Sequence, residues 1–289
     1  MPIFINTNVT SIVAQRNLAN NTEKLNQSLE RLSSGYRINR AADDAAGLTI
    51  SENLKSQING INTALQNAQD GISILQITEG TMSVMTDNLQ RIRELTVQAA
   101  NDTNARAQRS AIESEIQARL EDNQRIVKAA SFNGIKLLTG SATNARLQIG
   151  AESTLSTNTL NITSALATTT ATAMGVLGAA TSAGFTTISA IQFTTGSVAR
   201  KFLNDVSAAL NQISARRAKV GAMQNELNST VQNLQLSNQN FTASESRIRD
   251  LDVASETARL TQLQILQQAS ISILSQANQT PNLVLKLLQ

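Results

Sequence analysis

The chain has 289 residues; 41% of them are hydrophobic but only 2% are aromatic, and it contains two Pro, no Cys and no His. Without Cys or His, disulfides, thiol catalysis and imidazole-based metal or triad chemistry are excluded, so we expect no cofactor and no enzymatic activity. The formal net charge of +3 is spread along the chain, which argues against nucleic-acid binding. With so few rings, we expect long helices that pack through aliphatic side chains.

Neither a membrane span nor a cleavable signal is predicted. No stretch of 18 or more apolar residues occurs, so membrane insertion is not expected. The apolar run at Ile3, Phe4 and Ile5 stops after a few residues and has no basic residue before it, unlike a secretory signal peptide.

The first helix is predicted from apolar positions spaced alternately four and three residues apart, which is the pattern of a coiled-coil seam. Gly35 and the polar and Ala-rich run at residues 37–47 predict a break and a connector. Two adjacent Asp are too few for a metal site, so salt bridges between copies or helix capping are expected of the charged cluster there. The seam positions are Leu18, Thr22, Leu25, Leu29, Leu32 and Tyr36, and the cluster is Arg37, Arg40, Asp43 and Asp44.

A longer helical pattern runs from residue 54 to residue 99, and its phase slips once near Gly80. A third helix is predicted over residues 112–127, ended by the turn signal Asn133-Gly134. Apolar and polar residues alternate at 146–150 and 159–162, which predicts a small hairpin. The uncharged residues 153–199 allow a loop, a β excursion or a surface insert.

Helical periodicity returns from residue 203 to residue 251, followed by a stripe of Leu263, Leu266, Ile273 and Ala277. Pro281 is predicted to end the last helix and to leave an apolar tail. The predicted fold is therefore mainly α, an elongated antiparallel helical bundle or coiled coil with a small β-hairpin element in the middle.

The two end helices, paired only with each other, would bury one apolar stripe each. Because ordering a residue costs about 1–2 kcal/mol, such a pair should be marginal unless other copies cover the remaining apolar surface. We therefore expect folding of the ends to be coupled to polymerisation. Heptads alone would also suit an ordinary monomeric or dimeric coiled-coil protein.

One long run carries a family resemblance. Residues 33–48, SSGYRINRAADDAAGL, resemble the signature of bacterial flagellin at the junction of its two innermost domains. Shorter matches lie at residues 67–73, 90–95, 132–134, 220–225, 246–250, 265–269 and 276–279, so the resemblance covers residues 1–150 and 200–289. It implies a structural subunit that polymerises into the flagellar filament and serves motility.

The resemblance also implies a domain organisation and partners. Residues 1–43 and 250–289 would form the inner tube, and residues 44–249 the surrounding helical rod layer with a short variable segment at 151–199. The subunit would pass unfolded through the flagellar export apparatus to the extracellular flagellum, without a cleaved signal peptide. Its partners would be other copies of itself, hook-associated junction and cap proteins, and an export chaperone that holds the apolar tail. The implied polymerisation seam is Leu18, Leu25, Leu29, Leu32, Leu263, Leu266, Ile273, Leu285 and Leu288.

By the same resemblance, Arg91, Leu95 and Glu115 occupy positions through which many flagellins meet the toll-like receptor of innate immunity. The alternative is that all three are ordinary packing residues between subunits. Two other functions remain open on the sequence: a hook–filament junction protein, which would cap filaments without lengthening them, and an adhesin. The uncharged middle, with Phe185 and Phe193 and no Trp, is a poor sugar-binding platform for an adhesin.

Overall fold

The computed structural model describes residues 7–139, 145–152, 158–163, 166 and 187–287. Within these ranges the fold is mainly α with two short antiparallel strand pairs, which confirms the predicted fold class. The helices are α1 (Val9–Ser34), α2 (Ala45–Ala99), α3 (Arg106–Ala129), α4 (Gly196–Arg249) and α5 (Val253–Leu287), with a 3-10 turn at Ile188–Ala190. The strands are β1 (Ser131–Phe132), β2 (Ile135–Lys136), β3 (Arg146–Gln148) and β4 (Thr159–Asn161).

The chain forms two compact units. One contains Met1–Ile58 and Gln239–Gln289, and the other contains Asn59–Asn238. The division at residues 43 and 250 expected from the resemblance concerns layers of an assembled filament, and it stays a prediction.

In the first unit, α1 pairs with α5 in antiparallel orientation. Each helix contributes seven buried or half-buried positions, spaced alternately three and four residues apart, as in a heptad seam. Leu18, Leu25 and Leu32 lie at this seam between α1 and α5, whereas Leu29 lies on the neighbouring face and is 47% exposed; their role in polymerisation stays a prediction. The seam positions are Ser11, Ala14, Leu18, Asn21, Leu25, Ser28 and Leu32 of α1 and Glu256, Leu260, Leu263, Gln267, Ser270, Leu274 and Ala277 of α5.

The prediction that Pro281 ends the last helix is wrong, because α5 continues to Leu287. Pro has no amide hydrogen, so the carbonyl of Ala277 loses the donor it would have in a regular helix. That carbonyl accepts two side-chain hydrogen bonds instead, from Thr280 Oγ1 at 2.8 Å and from Asn8 Nδ2 at 2.8 Å. The helix therefore tolerates Pro281 because the freed backbone group is satisfied.

The predicted slip of phase near Gly80 is also wrong. Buried positions of α2 alternate by three and four residues without interruption from Ile61 to Ala99. Thr78 fills the position where an apolar residue was sought; it is fully buried and its hydroxyl donates to the Ile74 carbonyl at 2.8 Å. A buried Thr of this kind keeps the heptad pattern while hiding it from a search for apolar residues.

The second unit has one apolar core to which α2, α3 and α4 all contribute. Phe193, which precedes α4, is fully buried with its ring centroid 5.5 Å from that of Phe202. Phe193 is therefore not available as an exposed sugar-binding ring, and Phe185 lies outside the described residues. The third predicted helix is confirmed as α3, whose buried face includes Ile112, Ile116, Leu120 and Val127.

Two hairpins belong to the second unit. Asn133 and Gly134 connect β1 to β2, with φ of 47° and 79°, the left-handed values of a tight two-residue hairpin turn. The hairpin predicted at residues 146–150 and 159–162 is confirmed as β3 and β4, with Leu147 opposite Leu160. It lies against α2 at Gly71, where a Cβ would overlap the Leu147 side chain.

Candidate assembly surface

Asp43 of the connector binds several groups of its own chain. Its carboxylate accepts the backbone N–H groups of Arg40 at 3.0 Å and Asn39 at 3.2 Å, and Gln27 Nε2 at 2.8 Å. The Arg40 amide, with Gln27, Asn39 and the guanidinium of Arg31 adding to it, holds the pKa of Asp43 below its ordinary value despite the opposing effect of burial. Asp43 thus ties the connector to α1.

Asp44 caps the start of α2. Its Oδ1 accepts the Gly47 N–H at 2.9 Å, which satisfies one of the free amides at the helix N-terminus. The expectation of helix capping in the charged cluster is confirmed at this position. Arg40 pairs with Glu30 of α1 at 2.9 Å, an exposed contact of small energy.

The connector is also joined to the short break between α4 and α5. Tyr36 and Asp250 form an antiparallel bridge, and the Arg37 N–H donates to the Arg249 carbonyl at 2.7 Å. The Arg249 guanidinium lies 4.7 Å from the centre of the Tyr36 ring and forms a salt bridge with Glu52 at 2.7 Å. The two breaks in the helices of this unit are therefore held side by side.

Polar contacts cross the α1–α5 seam between its leucines. Ser28 Oγ donates to the carboxylate of Glu256 at 2.5 Å, where both residues are buried, and Asn21 Nδ2 donates to Ser270 Oγ at 2.9 Å. Two further pairs are Gln267 with Thr22 and Ser11 with Asn278. Such contacts define the register of two helices and contribute less stability than apolar packing would.

Several large apolar side chains of this helix pair lie outside the seam and are exposed. Ile273 is 59% exposed and Leu266 is 42% exposed, while Leu263, also predicted as a seam residue, is buried between the two helices. We use the name outer apolar face for the exposed large apolar side chains on all sides of the two helices outside the seam: Val9, Ile12, Val13 and Leu29 of α1 and Val253, Ile265, Leu266, Ile271 and Ile273 of α5. Apolar exposure on this scale is typical of a surface that another protein covers.

The predicted seam residues thus divide into two groups. Leu18, Leu25, Leu32 and Leu263 pack within the chain, whereas Leu29, Leu266 and Ile273 belong to the outer apolar face. The Leu285 side chain and Leu288 lie outside what the structure describes. Sequence reasoning missed the polar members of the seam; extending the heptad spacing through Ser, Asn and Gln would have found them.

Arg91 and Glu115 come together on the second unit, but Leu95 does not join them. Arg91 Nε lies 3.4 Å from Glu115 Oε1, and Arg91 also pairs with Glu94 at 3.0 Å. Hydrogen bonding to Glu94, followed by the charge of Glu115, raises the pKa of Arg91 above its ordinary value. Leu95 is only 3% exposed, within the core of this unit. The surface at these positions is therefore charged.

The part of the chain that the structure describes has no group of three or more acidic side chains placed to hold a metal ion. Across those same residues, no helix is sufficiently long and apolar to cross a membrane.

Comparison with known proteins agrees with this arrangement. Residues 5–143 match the model of the bacterial flagellin N-terminal helical region, and residues 203–288 match that of the C-terminal helical region. The chain is 39% identical over 291 residues to a flagellin of Halalkalibacterium halodurans, covering 99% of this chain and 100% of that protein. It is 37% identical to flagellin FlaB1 of Treponema pallidum, again over 99% and 100% of the two chains.

Among solved structures, that of Bacillus cereus flagellin matches 58% of this chain and 88% of its own, with a TM-score of 0.48 and 22% identity. Family models match both ends of the chain, and full-length relatives are more than 30% identical to it, so this chain shares the function of the family. The chain therefore belongs to the bacterial flagellins, the structural and non-enzymatic subunits that polymerise into the extracellular flagellar filament.

Proposed function

We propose that the terminal helices of this flagellin become ordered as the subunit joins the filament, because neighbouring copies cover the outer apolar face. The observation that carries this proposal is the distribution of side chains over α1 and α5. The seam between the two helices contains Ser, Asn, Gln and Glu among its leucines, while nine large apolar residues lie outside it.

The energetics favour coupled folding. Apolar burial stabilises by about 25 cal/mol per Å², whereas each ordered residue costs about 1–2 kcal/mol in backbone entropy. A seam in which polar positions alternate with leucines offers little apolar area per ordered residue. Covering the outer apolar face supplies the missing area, and only a second molecule can do so if α1 and α5 are already paired.

Removal of residues 250–289 tests this mechanism. The shortened protein is expected to remain soluble and helical over α2, α3 and α4 but not to lengthen filament seeds, as circular dichroism and sedimentation would measure. The full-length chain, purified in parallel, is the control and should elongate the same seeds. Normal growth of the shortened protein would contradict coupled folding. Full-length protein that binds seed ends without lengthening them would indicate a junction protein instead.

We assign the filament layers in accordance with family membership. Residues 1–43 and 250–289 form the inner tube, and residues 44–249 form the layer around it. Hook-associated junction and cap proteins contact the ends of the polymer, and an export chaperone holds the apolar tail, including Leu285 and Leu288, before assembly. Subunits reach the filament through the flagellar export apparatus without loss of a signal peptide. Intact mass measurement of subunits from purified filaments tests the last point, since a cleaved protein would be lighter.

Contact with a toll-like receptor is proposed for Arg91 and Glu115, whose charged side chains are exposed on neighbouring helices. Leu95 contributes only by packing beneath them, since it is buried. Arg91→Ala should then weaken receptor activation by monomeric protein, while Arg125→Ala, at an exposed Arg on α3, should not. Equal activation by both variants would leave these positions with packing roles alone.

A further inference from the structure

The start of α1 and the end of α5 meet at one amide side chain, that of Asn8. Its Oδ1 accepts the Ser11 N–H at 3.0 Å, and this hydrogen bond caps α1. Its Nδ2 donates to the carbonyl of Ala277 at 2.8 Å. The amide oxygen and amide nitrogen of this side chain thus satisfy backbone groups on two helices, and Asn8 is 269 residues away from Ala277 in sequence.

The acceptor of this contact is an unusual carbonyl. In an unbroken α-helix the Ala277 oxygen would accept the amide hydrogen of residue 281. Residue 281 is Pro, which has no such hydrogen, and yet α5 runs on to Leu287. A carbonyl left without a donor inside a protein interface is costly, so whatever satisfies it stabilises the helical path through Pro281.

Two further hydrogen bonds lie beside the contact between Asn8 and Ala277. Thr280 Oγ1 donates to the Ala277 carbonyl at 2.8 Å, and Ser11 Oγ donates to Asn278 Oδ1 at 2.7 Å. The Thr280 contact lies within α5, so it can form whether or not α1 is present. The Asn8 contact forms only when both helices are ordered and in register.

We propose that Asn8 is a positioning residue that makes the order of α5 beyond Pro281 depend on the presence of the capped start of α1. This inference rests on the proposed coupling of folding to assembly and adds the residue that links the two chain ends. In a released subunit α1 is not in place, the Ala277 carbonyl keeps only the Thr280 donor, and α5 is ordered no further than Pro281. In the filament Asn8 caps α1 and its Nδ2 group donates to the Ala277 carbonyl, so α5 continues through the turns after Pro281.

Two substitutions at Asn8 keep its role as the cap of α1 but remove its hydrogen bond to the Ala277 carbonyl. Asn8→Ser keeps a good N-cap without charge but has a single polar atom, too short to serve both helices. Asn8→Asp keeps the shape and the cap but has no hydrogen to donate to Ala277. The two variants differ from each other in size and charge, but both lack the Nδ2 donor. The same defect in both is therefore caused by loss of the hydrogen bond to Ala277.

The decisive comparison uses Pro281→Ala, which restores the missing amide hydrogen. With purified full-length protein and filament seeds, we expect Asn8→Ser and Asn8→Asp each to raise the critical concentration for elongation about three- to tenfold. In the Pro281→Ala background the same changes should raise it less than about twofold, because the carbonyl no longer needs Asn8. Thr280→Val, which removes the other donor, should enlarge the effect of Asn8→Ser.

Hydrogen exchange on assembled filaments supplies a second readout. Amides after Pro281 should exchange faster in Asn8→Ser than in unsubstituted filaments, and Pro281→Ala should return them to slow exchange. Asn20→Ser, at an exposed position of the same helix, is the matched control and should leave both readouts unchanged. An equal effect of Asn8→Ser in both backgrounds, or none in either, would overturn the role of Asn8. Elongation of seeds by the protein that lacks residues 250–289 would instead refute the coupling of folding to assembly.

Discussion

Truncation of Ile273 measures how much the outer apolar face contributes to the polymer. Full burial of an Ile side chain stabilises by about 1.5–3 kcal/mol. Ile273 is 59% exposed in the isolated chain, so roughly 1–2 kcal/mol of that stabilisation is still available to a neighbouring copy. Since 1.4 kcal/mol corresponds to a factor of ten, Ile273→Ala should raise the critical concentration about 5- to 30-fold. Leu266→Ala, at a less exposed position, should have a smaller effect.

The assay is seeded elongation, with the protein left in the supernatant at the plateau measured after sedimentation. Ile273→Asp should block elongation entirely, because burying an unpaired carboxylate costs several kcal/mol more than losing the apolar contact. Ser275→Ala, at an exposed position two residues away, removes no apolar area and is the matched control. Circular dichroism should show α2 unchanged in all of these variants. Elongation of Ile273→Asp at the unsubstituted critical concentration would refute the assignment of this face to subunit contact.

Three further predictions concern the connector and the hairpin. The pKa of Asp43 is lowered in the folded chain, so its stabilisation is complete above the unfolded value of about 3.9 and is lost as pH falls through the folded pKa. In Asp43→Asn the protection of the connector amides from hydrogen exchange should therefore change less between pH 5 and pH 2 than in the unsubstituted protein. The same pH dependence in both proteins would contradict this. Arg249→Lys should destabilise the first unit by about 1 kcal/mol in urea unfolding, because the stacking on Tyr36 is lost. Equal urea midpoints for the variant and the unsubstituted protein would show that this contact does not stabilise the unit. Gly71→Val should displace Leu147 and make the β3–β4 hairpin sensitive to protease, with resistance equal to the parent as the contrary result.

Heptad spacing predicted the helices because the side chains of an amphipathic helix must repeat with the helical period. It also predicted apolar stripes that contain Leu18, Leu25 and Leu263, which the resemblance assigns to a polymerisation seam and which pack within the chain. Asn133-Gly134 predicted a turn because two successive left-handed residues are otherwise strained. The long run at residues 33–48 carried the family resemblance. Local periodicity and turn chemistry are properties of a short segment, so they are available before any tertiary contact forms.

Tertiary contact decided which apolar face of a helix is used within the chain. Leu29, Leu266 and Ile273 satisfy the same spacing rule as the seam leucines, but the seam is formed by a neighbouring face of each helix, on which Ser28 meets Glu256. The Ala277 carbonyl, which Pro281 leaves without an amide donor, is satisfied by Thr280 within α5 and by Asn8 from the other end of the sequence. A residue's own sequence neighbourhood does not contain the partner 269 positions away, and that partner is what makes a polar or proline residue acceptable in a helix.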